Sequence, residues 1–243
     1  MSLFDLSNRN IIVTGSNRGN GFAIANGLVD AGANVFGIDL EIDNKHNFKQ
    51  FKVDLTNIDK VNDLIDQIAL KYGAINGLVN NAGVSLSSEN PYNDSLLYRK
   101  TLEVNLNAVF FLTSKVCEMM KKSGGGSVIN ITSLGADLGF PDNPSYQISK
   151  AGLKQLSKAF AYDWSKYNIR FNNICPGYIK TSMTEKSFND KNLRHDRESR
   201  TFLERWGQSE DLIGASIFLL SDASSYITAS SIYVDGGWTA KGI

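Results

Sequence analysis

The chain has 243 residues, of which 42% are hydrophobic, and its 25 acidic and 25 basic residues balance to a formal net charge of zero. This length and composition suit one globular domain with a sizeable core. The balanced charge gives no support to nucleic-acid binding or to a basic membrane face. No apolar run reaches the ~18 residues that span a bilayer, and no signal peptide is visible. We therefore expect a cytoplasmic protein with neither a nucleic-acid nor a membrane partner.

The two cysteines and two histidines indicate neither a disulfide nor a metal centre. Cys117 lies in a helical pattern and Cys175 at the end of a predicted strand. We expect both to be reduced and mostly buried thiols, as in a cytoplasmic protein. His46 and His195 are far apart, and no group of Cys and His has metal-ligand spacing. The sequence therefore predicts no metal site.

Strand and helix patterns alternate along the chain, which favours a single domain over residues 1–243. Short apolar, β-branched runs predict strands at 10–15, 33–38, 48–53, 75–79, 127–133, 169–175 and 231–235. Helical spacing predicts helices at 22–31, 58–72, 96–120 and from 145 through 156. Asn57 is the expected N-cap of the second helix. Segment 181–205 is polar and mixed in charge, and inserted segments of this kind often cover a site.

A glycine-rich turn joins the first predicted strand to the first predicted helix. Its sequence is Thr14-Gly15-Ser16-Asn17-Arg18-Gly19-Asn20-Gly21. Glycines let a backbone approach a pyrophosphate, and the N-terminus of a helix presents free N–H groups to it. The pattern predicts a phosphate cradle, and the alternative is a tight turn that merely needs glycine.

Asp39 ends the second predicted strand, about 20 positions past the glycine turn, where a carboxylate can accept hydrogen bonds from a dinucleotide's ribose hydroxyls. A carboxylate there also repels a 2′-phosphate, so Asp39 favours NAD over NADP. Arg18 favours the opposite choice, because a cation in the glycine turn can contact that phosphate. We give Asp39 more weight because a strand end leaves it little freedom to swing aside. NADP stays possible, and the alternative for Asp39 is a turn-forming residue.

Polar residues follow two later strands and interrupt one helix. Asn80-Asn81-Ala82-Gly83 suits a turn that holds backbone near a ligand, and an ordinary turn is an equally good interpretation. Asn105 lies among apolar neighbours in a predicted helix, where asparagine is unfavourable, and so predicts a kink or a bound water. Ser133 ends the fifth strand, at the edge where open α/β sheets bind ligands. It is therefore placed to donate to a substrate oxygen.

Tyr146 and Lys150 are four residues apart in a predicted helix and therefore share a face. A phenol beside an ammonium suggests a tuned proton donor or acceptor. Free tyrosine titrates near ~10, and a nearby cation or a positively charged nicotinamide favours the phenolate. A lone Tyr-x-x-x-Lys pair is a weak motif. It indicates a catalytic pair only where the fold also binds a cofactor and a substrate beside it.

Taken in order, these motifs resemble the short-chain dehydrogenase/reductase family over almost the whole chain. They are Thr14-Gly15-x-x-x-Gly19-x-Gly21, Asp54, Asn80-Asn81-Ala82-Gly83, Asn105, Ser133, Tyr146-x-x-x-Lys150 and Pro176-Gly177. The resemblance implies a single-domain, Rossmann-like α/β fold with a seven-stranded parallel sheet flanked by helices on both faces. Two residues depart from the family pattern. Asn20 replaces the usual Ile or Leu, and Ile148 replaces a usually small residue.

The resemblance also implies residue roles. Tyr146 is the acid/base, Lys150 lowers its pKa and holds the nicotinamide ribose, Ser133 orients a carbonyl, and Asn105 holds a water in a proton relay. Asp54 and Leu55 are expected to flank the adenine. The expected cofactor contacts are Gly15, Asn17, Arg18, Gly19, Asn20, Gly21, Asp39, Asp54, Leu55, Asn81, Ala82, Gly83, Tyr146, Lys150, Pro176, Gly177, Ile179 and Thr181.

The reaction that the resemblance implies is hydride transfer between NAD(P) and a secondary alcohol or ketone, in a homotetramer or homodimer. The tail, with Arg205-Trp206-Gly207 and Gly236-Gly237-Trp238, is loosely similar to family members that act on sugar acids and polyols. An anionic substrate would suit the basic residues Lys186, Lys191, Arg194, His195, Arg197, Arg200 and Arg205. Acidic residues in the same segment make a solvated helix face an equally good interpretation. The alternatives are a 3-oxoacyl-thioester reductase and a non-catalytic nicotinamide-binding sensor or structural protein.

Overall fold

Seven parallel strands form one sheet at the centre of the computed structural model, which describes residues 3–43 and 45–241. The strand order is β3-β2-β1-β4-β5-β6-β7. The strands are β1 (Asn10–Thr14), β2 (Asn34–Asp39), β3 (Lys49–Lys52), β4 (Gly77–Asn80), β5 (Gly126–Ile131), β6 (Ile169–Pro176) and β7 (Ser231–Val234). The predicted α/β fold with a seven-stranded parallel sheet is confirmed. The chain reverses its direction of winding between β1 and β4, and ligands of such sheets bind beyond the strand ends at that point.

Helices cover both faces of the sheet and form two hydrophobic cores with it. They are α1 (Gly19–Asp30), α2 (Ile58–Tyr72), α3 (Ser95–Leu102), α4 (Ala108–Lys122), α5 (Pro144–Trp164), α6 (Glu185–Asn189), α7 (Lys191–Ser199) and α8 (Ile213–Leu220). Along β1, Ile11 and Val13 pack in one core and Ile12 in the other, because successive strand residues face opposite sides. Burial on both faces explains why central strands such as β1 are largely apolar.

Two helices show what local patterns can and cannot predict. Helix α2 has the predicted bounds, and the Asn57 side chain accepts a hydrogen bond from the Lys60 N–H at 3.2 Å, as expected for an N-cap. Helix α8 was not predicted. Its eight residues, Ile-Gly-Ala-Ser-Ile-Phe-Leu-Leu, are almost all apolar, and so short a run shows no helical periodicity.

The helix predicted at 96–120 is interrupted. Helix α3 ends at Leu102, and a π-helical turn from Glu103 to Asn107 separates it from α4. Asn105, which predicted a kink or a bound water, lies at the middle of this turn. π-Helical turns of this kind are frequent at functional sites.

The remaining predictions from composition concern thiols, metals and membranes. Cys117 and Cys175 are free and buried, and burial raises the pKa of the Cys117 thiol to about 12. Within residues 3–43 and 45–241, no three His, Cys, Asp or Glu side chains are grouped as metal ligands. No helix in the described part of the chain is long and apolar enough to cross a membrane.

Candidate active site

The glycine-rich turn after β1 has the backbone of an anion-binding cradle. Gly15 and Gly19 adopt left-handed conformations, with φ of 64° and 55°, which favour glycine. A side chain at Gly21 would overlap the Gly15 carbonyl oxygen. Arg18 is the N-cap of α1 but makes no side-chain cap, and the first turn of α1 holds no acidic residue. The first N–H groups of α1 are therefore free of a side-chain cap and can bind an anion.

The turn after β4 is bonded to this glycine turn. The Thr14 hydroxyl accepts hydrogen bonds from the Asn81 and Ala82 N–H groups, each at 3.0 Å. The Asn81 side-chain amide donates to the carbonyl oxygens of Thr14 at 2.9 Å and Gly15 at 3.1 Å. Sequence reasoning did not assign a role to Thr14. The usable signal was a threonine at the end of an apolar strand, directly before Gly15, and the structure shows that it is buried. These bonds join the ends of β1 and β4, where the sheet reverses its winding.

Asp39 lies beside the glycine turn and also forms a turn of its own. One carboxylate oxygen accepts a hydrogen bond from the Asn17 N–H at 2.9 Å, and the other accepts from the Leu40 N–H at 2.7 Å. The turn-forming interpretation of Asp39 is therefore seen in the structure, and its contact with a ribose stays a prediction. His46, which the sequence did not suggest, places Nε2 3.1 Å from the Asn17 amide oxygen. The Arg18 side chain is exposed.

The two residues expected to flank the adenine differ in burial. The Asp54 carboxylate is exposed and accepts hydrogen bonds from the Thr56 N–H at 2.9 Å and the Thr56 hydroxyl at 2.8 Å. Leu55 is buried and packs in the hydrophobic core. Its side chain therefore packs away from a cofactor. The predicted contact between Leu55 and an adenine would involve the Leu55 backbone, and it stays a prediction.

Tyr146, Lys150 and Ser133 converge at the carboxyl end of β5. The Ser133 hydroxyl is close enough to the Tyr146 phenol to lower its pKa. Lys150 Nζ lies 5.8 Å from the centre of the Tyr146 ring, and it donates a hydrogen bond to the Ile131 carbonyl at 2.8 Å. Tyr146 and Lys150 therefore share a face of α5, as their spacing predicts.

The electrostatics of this pair differ from the expected lowering of the phenol pKa. Burial raises the pKa of Tyr146, and the Ser133 hydroxyl opposes that rise only in part. Burial also lowers the pKa of Lys150 to about 8. Desolvation disfavours the charged form of both groups. The protein groups alone do not lower the phenol pKa, so that effect requires a further positive charge.

Asn105 is buried and braces the site. Its side-chain oxygen accepts from the Val84 N–H at 2.8 Å, and its amide donates to the Val84 carbonyl at 2.9 Å. The amide also donates to the Ser149 hydroxyl at 3.0 Å, and that hydroxyl donates to the Tyr146 carbonyl at 2.7 Å. A side chain at Gly83 would lie 3.2 Å from the Asn105 side-chain oxygen. The side chain of Asn105 thus connects the turn after β4 to α5, and its role in a water relay stays a prediction.

The residues after β6 approach the glycine turn from the other side. Pro176 pairs with Val234 of β7, and Gly177 donates its N–H to the Val234 carbonyl at 3.0 Å. Ile179 is buried and its carbonyl accepts the Thr184 hydroxyl at 2.6 Å. A side chain at Gly19 would lie 3.5 Å from the Thr181 methyl group. The start of segment 181–205 is thus placed against the cradle.

The two departures from the family pattern have local explanations. The Asn20 side-chain oxygen accepts a hydrogen bond from the Ser209 hydroxyl at 2.9 Å, so this asparagine links the glycine turn to the residues that follow segment 181–205. Ile148 is 48% exposed, and residues two apart on a helix do not face each other. Ile148 therefore does not narrow the space beside Tyr146.

A cavity of about 420 Å³ lies under segment 181–205. Helices α6 and α7 form most of this segment. The lining includes Gly177, Tyr178 and Ile179 after β6, Arg197 of α7, and Gly236 and Gly237 after β7. The Tyr178 ring is 6.3 Å from that of Phe140, whose N–H donates to the Gln147 side chain at 2.8 Å. A side chain at Gly135 would lie 3.7 Å from the Ser133 hydroxyl oxygen and 3.8 Å from the Phe140 ring, so the edge of the cavity at Tyr178 extends toward Ser133.

Comparison with known proteins agrees with this geometry. A family model described as enoyl-(acyl carrier protein) reductase matches residues 15–239. Gluconate 5-dehydrogenase of Gluconobacter oxydans (strain 621H) is 34% identical over 250 residues, which cover 98% of both chains. 2-Dehydro-3-deoxy-D-gluconate 5-dehydrogenase of Escherichia coli (strain K12) is 32% identical over 99% of both. The crystal structure of a gluconate 5-dehydrogenase from Burkholderia cenocepacia J2315, in complex with NADP and tartrate, superposes with a TM-score of 0.93. It is 32% identical over 98% of each chain.

The fold, with a glycine-rich cradle at the point where its sheet reverses winding, defines a Rossmann-like dinucleotide-binding protein. The chain belongs to the short-chain dehydrogenase/reductase family, and it is an NAD(P)-dependent oxidoreductase that acts on a small molecule.

Proposed function

We propose that this enzyme interconverts a secondary alcohol and a ketone on a sugar acid, and that Ser133, Tyr146 and Lys150 carry the reaction. The observation that supports this most directly is the convergence of Ser133, Tyr146 and Lys150 at the end of β5. The substrate class comes from the relatives, which are named for gluconate and 2-dehydro-3-deoxy-D-gluconate.

The residues around the glycine turn fit a nicotinamide dinucleotide. The close approach of Gly21 to the Gly15 carbonyl leaves no room for a side chain, and the start of α1 is free to bind a pyrophosphate. Lys150 uses one of its three N–H groups on the Ile131 carbonyl, so the others can bind a ribose hydroxyl. In this proposal Asn81, Ala82 and Gly83 support the cofactor, and Ile179 and Thr181 contact its carboxamide.

When bound, the cofactor supplies the hydride acceptor or donor. In the oxidation direction, Tyr146 accepts the hydroxyl proton of the substrate while Ser133 donates a hydrogen bond to the same oxygen. Negative charge on that oxygen is thus stabilised by groups that are already in position. Lys150 and the positively charged cofactor favour the phenolate of Tyr146. Asn105 maintains the geometry and, in the proposed relay, holds a water.

The substrate proposal is tested by a panel of aldonates, neutral polyols and acetoacetyl thioesters, followed by nicotinamide absorbance. We expect the highest kcat/KM with a sugar acid or its keto form. A clear preference for acetoacetyl thioesters would instead identify a 3-oxoacyl-thioester reductase. Tight NADH binding without turnover of any compound would indicate a sensor or structural protein.

We further propose that the enzyme prefers NAD to NADP. The Asp39 carboxylate is bonded to the Asn17 N–H and places a negative charge beside the glycine turn. A 2′-phosphate there would meet like charge at close range, which costs free energy. Arg18 is exposed and has no fixed acidic partner among residues 3–43 and 45–241, so NADP stays possible. The relative from Burkholderia cenocepacia J2315 contains NADP.

Replacing Asp39 by serine tests this preference. We expect Asp39→Ser to raise kcat/KM for NADP relative to NAD by about 100-fold, which corresponds to about 2.7 kcal/mol. The measurement is kcat/KM for both cofactors with one substrate. The matched control is Asp63→Ser, at an exposed position of α2. An unchanged ratio in Asp39→Ser would show that Asp39 does not select the cofactor.

The resemblance to the family also supports a homotetramer or homodimer in the cytoplasm. Phe110 and Phe111 on α4 and Tyr162 on α5 are exposed, and exposed apolar groups on neighbouring helices suit an interface. Light scattering measures the mass, and a mass equal to one chain would contradict this assembly. We also propose that residues 1–243 act as one domain with segment 181–205 covering the substrate.

A further inference from the structure

Most arginines near the cavity are already paired. In segment 181–205, the side chains of Arg194 and Glu198 are bonded at 2.8 Å and those of Arg200 and Asp196 at 3.2 Å. Arg205 binds Asp211 with two hydrogen bonds, at 2.8 and 3.0 Å. These pairs satisfy the guanidinium groups and favour the solvated-surface interpretation for them.

Arg197 is different. It has no carboxylate partner within residues 3–43 and 45–241. Its guanidinium lies 4.6 Å from the centre of the Tyr178 ring, and Nη1 donates to the Leu193 carbonyl at 3.1 Å. Its Nε is buried and has no hydrogen-bond partner in the described structure. A buried charged donor without a partner is unfavourable, so the guanidinium is left under-bonded. An acceptor in the cavity that Arg197 lines can bind its remaining N–H groups.

The surroundings of Arg197 make that acceptor an anion. Arg197 lines the cavity together with the acidic residues Asp211 and Asp235. The Asp211 carboxylate is bonded to Arg205 and to the Gln208 N–H. The Asp235 carboxylate accepts from the Gly237 N–H at 2.9 Å and from Thr239. Two arginines line the cavity. Arg205 is paired with Asp211, whereas Arg197 has no carboxylate partner in the described part of the chain.

Tyr178 connects Arg197 to the reaction site. The guanidinium lies over one face of its ring, and the ring also contacts Phe140, which lies near Ser133 on the other side of Gly135. The stacking limits the motion of the guanidinium plane, so its free N–H groups keep one direction. A planar donor of this kind matches the geometry of a carboxylate.

We propose that Arg197 binds the carboxylate of the substrate and thereby selects sugar acids over neutral polyols. The inference rests on the proposed function, and it makes Arg197 a specificity-determining residue rather than a catalytic one. It also selects one residue from the seven basic side chains that made the segment look suited to an anion.

The test compares gluconate with the neutral polyol glucitol in wild type, Arg197→Met and Arg197→Lys. Methionine keeps much of the apolar volume but cannot donate. We expect Arg197→Met to raise KM for the gluconate substrate about 100-fold, as for loss of a buried charge pair. We expect kcat to change little, KM for glucitol to stay unchanged, and lysine to restore part of the gluconate affinity. Arg200→Met, on the same helix-turn and paired only at the surface, is the matched control.

A second readout does not depend on turnover. With NADH present, gluconate is expected to raise the unfolding temperature of wild type and of Arg200→Met, but not that of Arg197→Met. An equal rise in Arg197→Met, or an equal increase of KM for both substrates, would overturn the assignment. If wild type oxidises gluconate and Arg197→Met does so normally, this inference alone fails. If wild type neither binds nor oxidises any sugar acid, the proposed function fails and this inference fails with it.

Discussion

Tyr146→Phe is expected to lower kcat by about 10²- to 10⁴-fold, the usual contribution of a general acid/base. Phenylalanine keeps the ring, so α5 and the contact with Lys150 should persist, but the group that exchanges a proton with the substrate oxygen is removed. NADH affinity should therefore stay close to that of wild type. The measurements are steady-state kcat in the oxidation direction and a fluorescence titration with NADH.

Tyr162→Phe is the matched control, because Tyr162 is on the same helix and is 91% exposed. Its activity should equal that of wild type. The pH profile adds a second readout. Burial raises the pKa of Tyr146, so the phenolate that accepts a proton forms more fully as pH increases. The wild-type oxidation rate should therefore rise with pH, and the residual rate of Tyr146→Phe should lose that rise. Near-normal turnover in Tyr146→Phe would refute the proposed mechanism.

Gly21→Ala is expected to weaken NADH binding by more than about 10-fold and to destabilise the fold by about 1–3 kcal/mol, the usual cost of overpacking. An added methyl group would overlap the Gly15 carbonyl and the Asn81 side-chain amide. Neither can withdraw easily, because the Asn81 amide donates to the Gly15 carbonyl at 3.1 Å and Gly15 is in a left-handed conformation. Relief of the overlap must therefore distort the cradle itself.

Gly214→Ala provides the comparison. Gly214 is in α8, and an added methyl group there meets nothing within 4 Å. Because alanine has the higher helix propensity, Gly214→Ala should be as stable as wild type or up to ~1 kcal/mol more stable. Urea unfolding and NADH titration of both variants separate the two effects. Wild-type NADH affinity in Gly21→Ala would show that this turn is not the pyrophosphate site.

Several site features were predictable because they depend on spacing within one element. Tyr146 and Lys150 share a helix face at a separation of four residues, and their convergence follows from helix geometry. The position of Asp39 beside the glycine turn follows from the parallel pairing of β1 and β2. The order of the strands, with the ends of β1 and β4 adjacent, is characteristic of the family whose motifs the chain carries.

Other features depend on contacts between residues far apart in the chain. The pairing of Asn105 with Val84 and Ser149 needs three elements to meet, and no local pattern contains it. The direction of the Tyr146 pKa shift depends on burial, which the sequence spacing could not supply. Helix α8 was missed because its run is short and almost uniformly apolar, so only its packing in the core distinguishes it from a strand.

The sequence by itself determined the α/β fold, the glycine cradle and the shared face of Tyr146 and Lys150, because periodicity and local backbone geometry encode them. Only the tertiary structure decided which arginine of segment 181–205 lines the cavity without a carboxylate partner in the described part of the chain. Arg194, Arg200 and Arg205 each find a carboxylate a few residues away, whereas Arg197 is turned against Tyr178 from another part of the chain. Charge pairing and burial are properties of the folded chain, and a list of charged residues does not contain them.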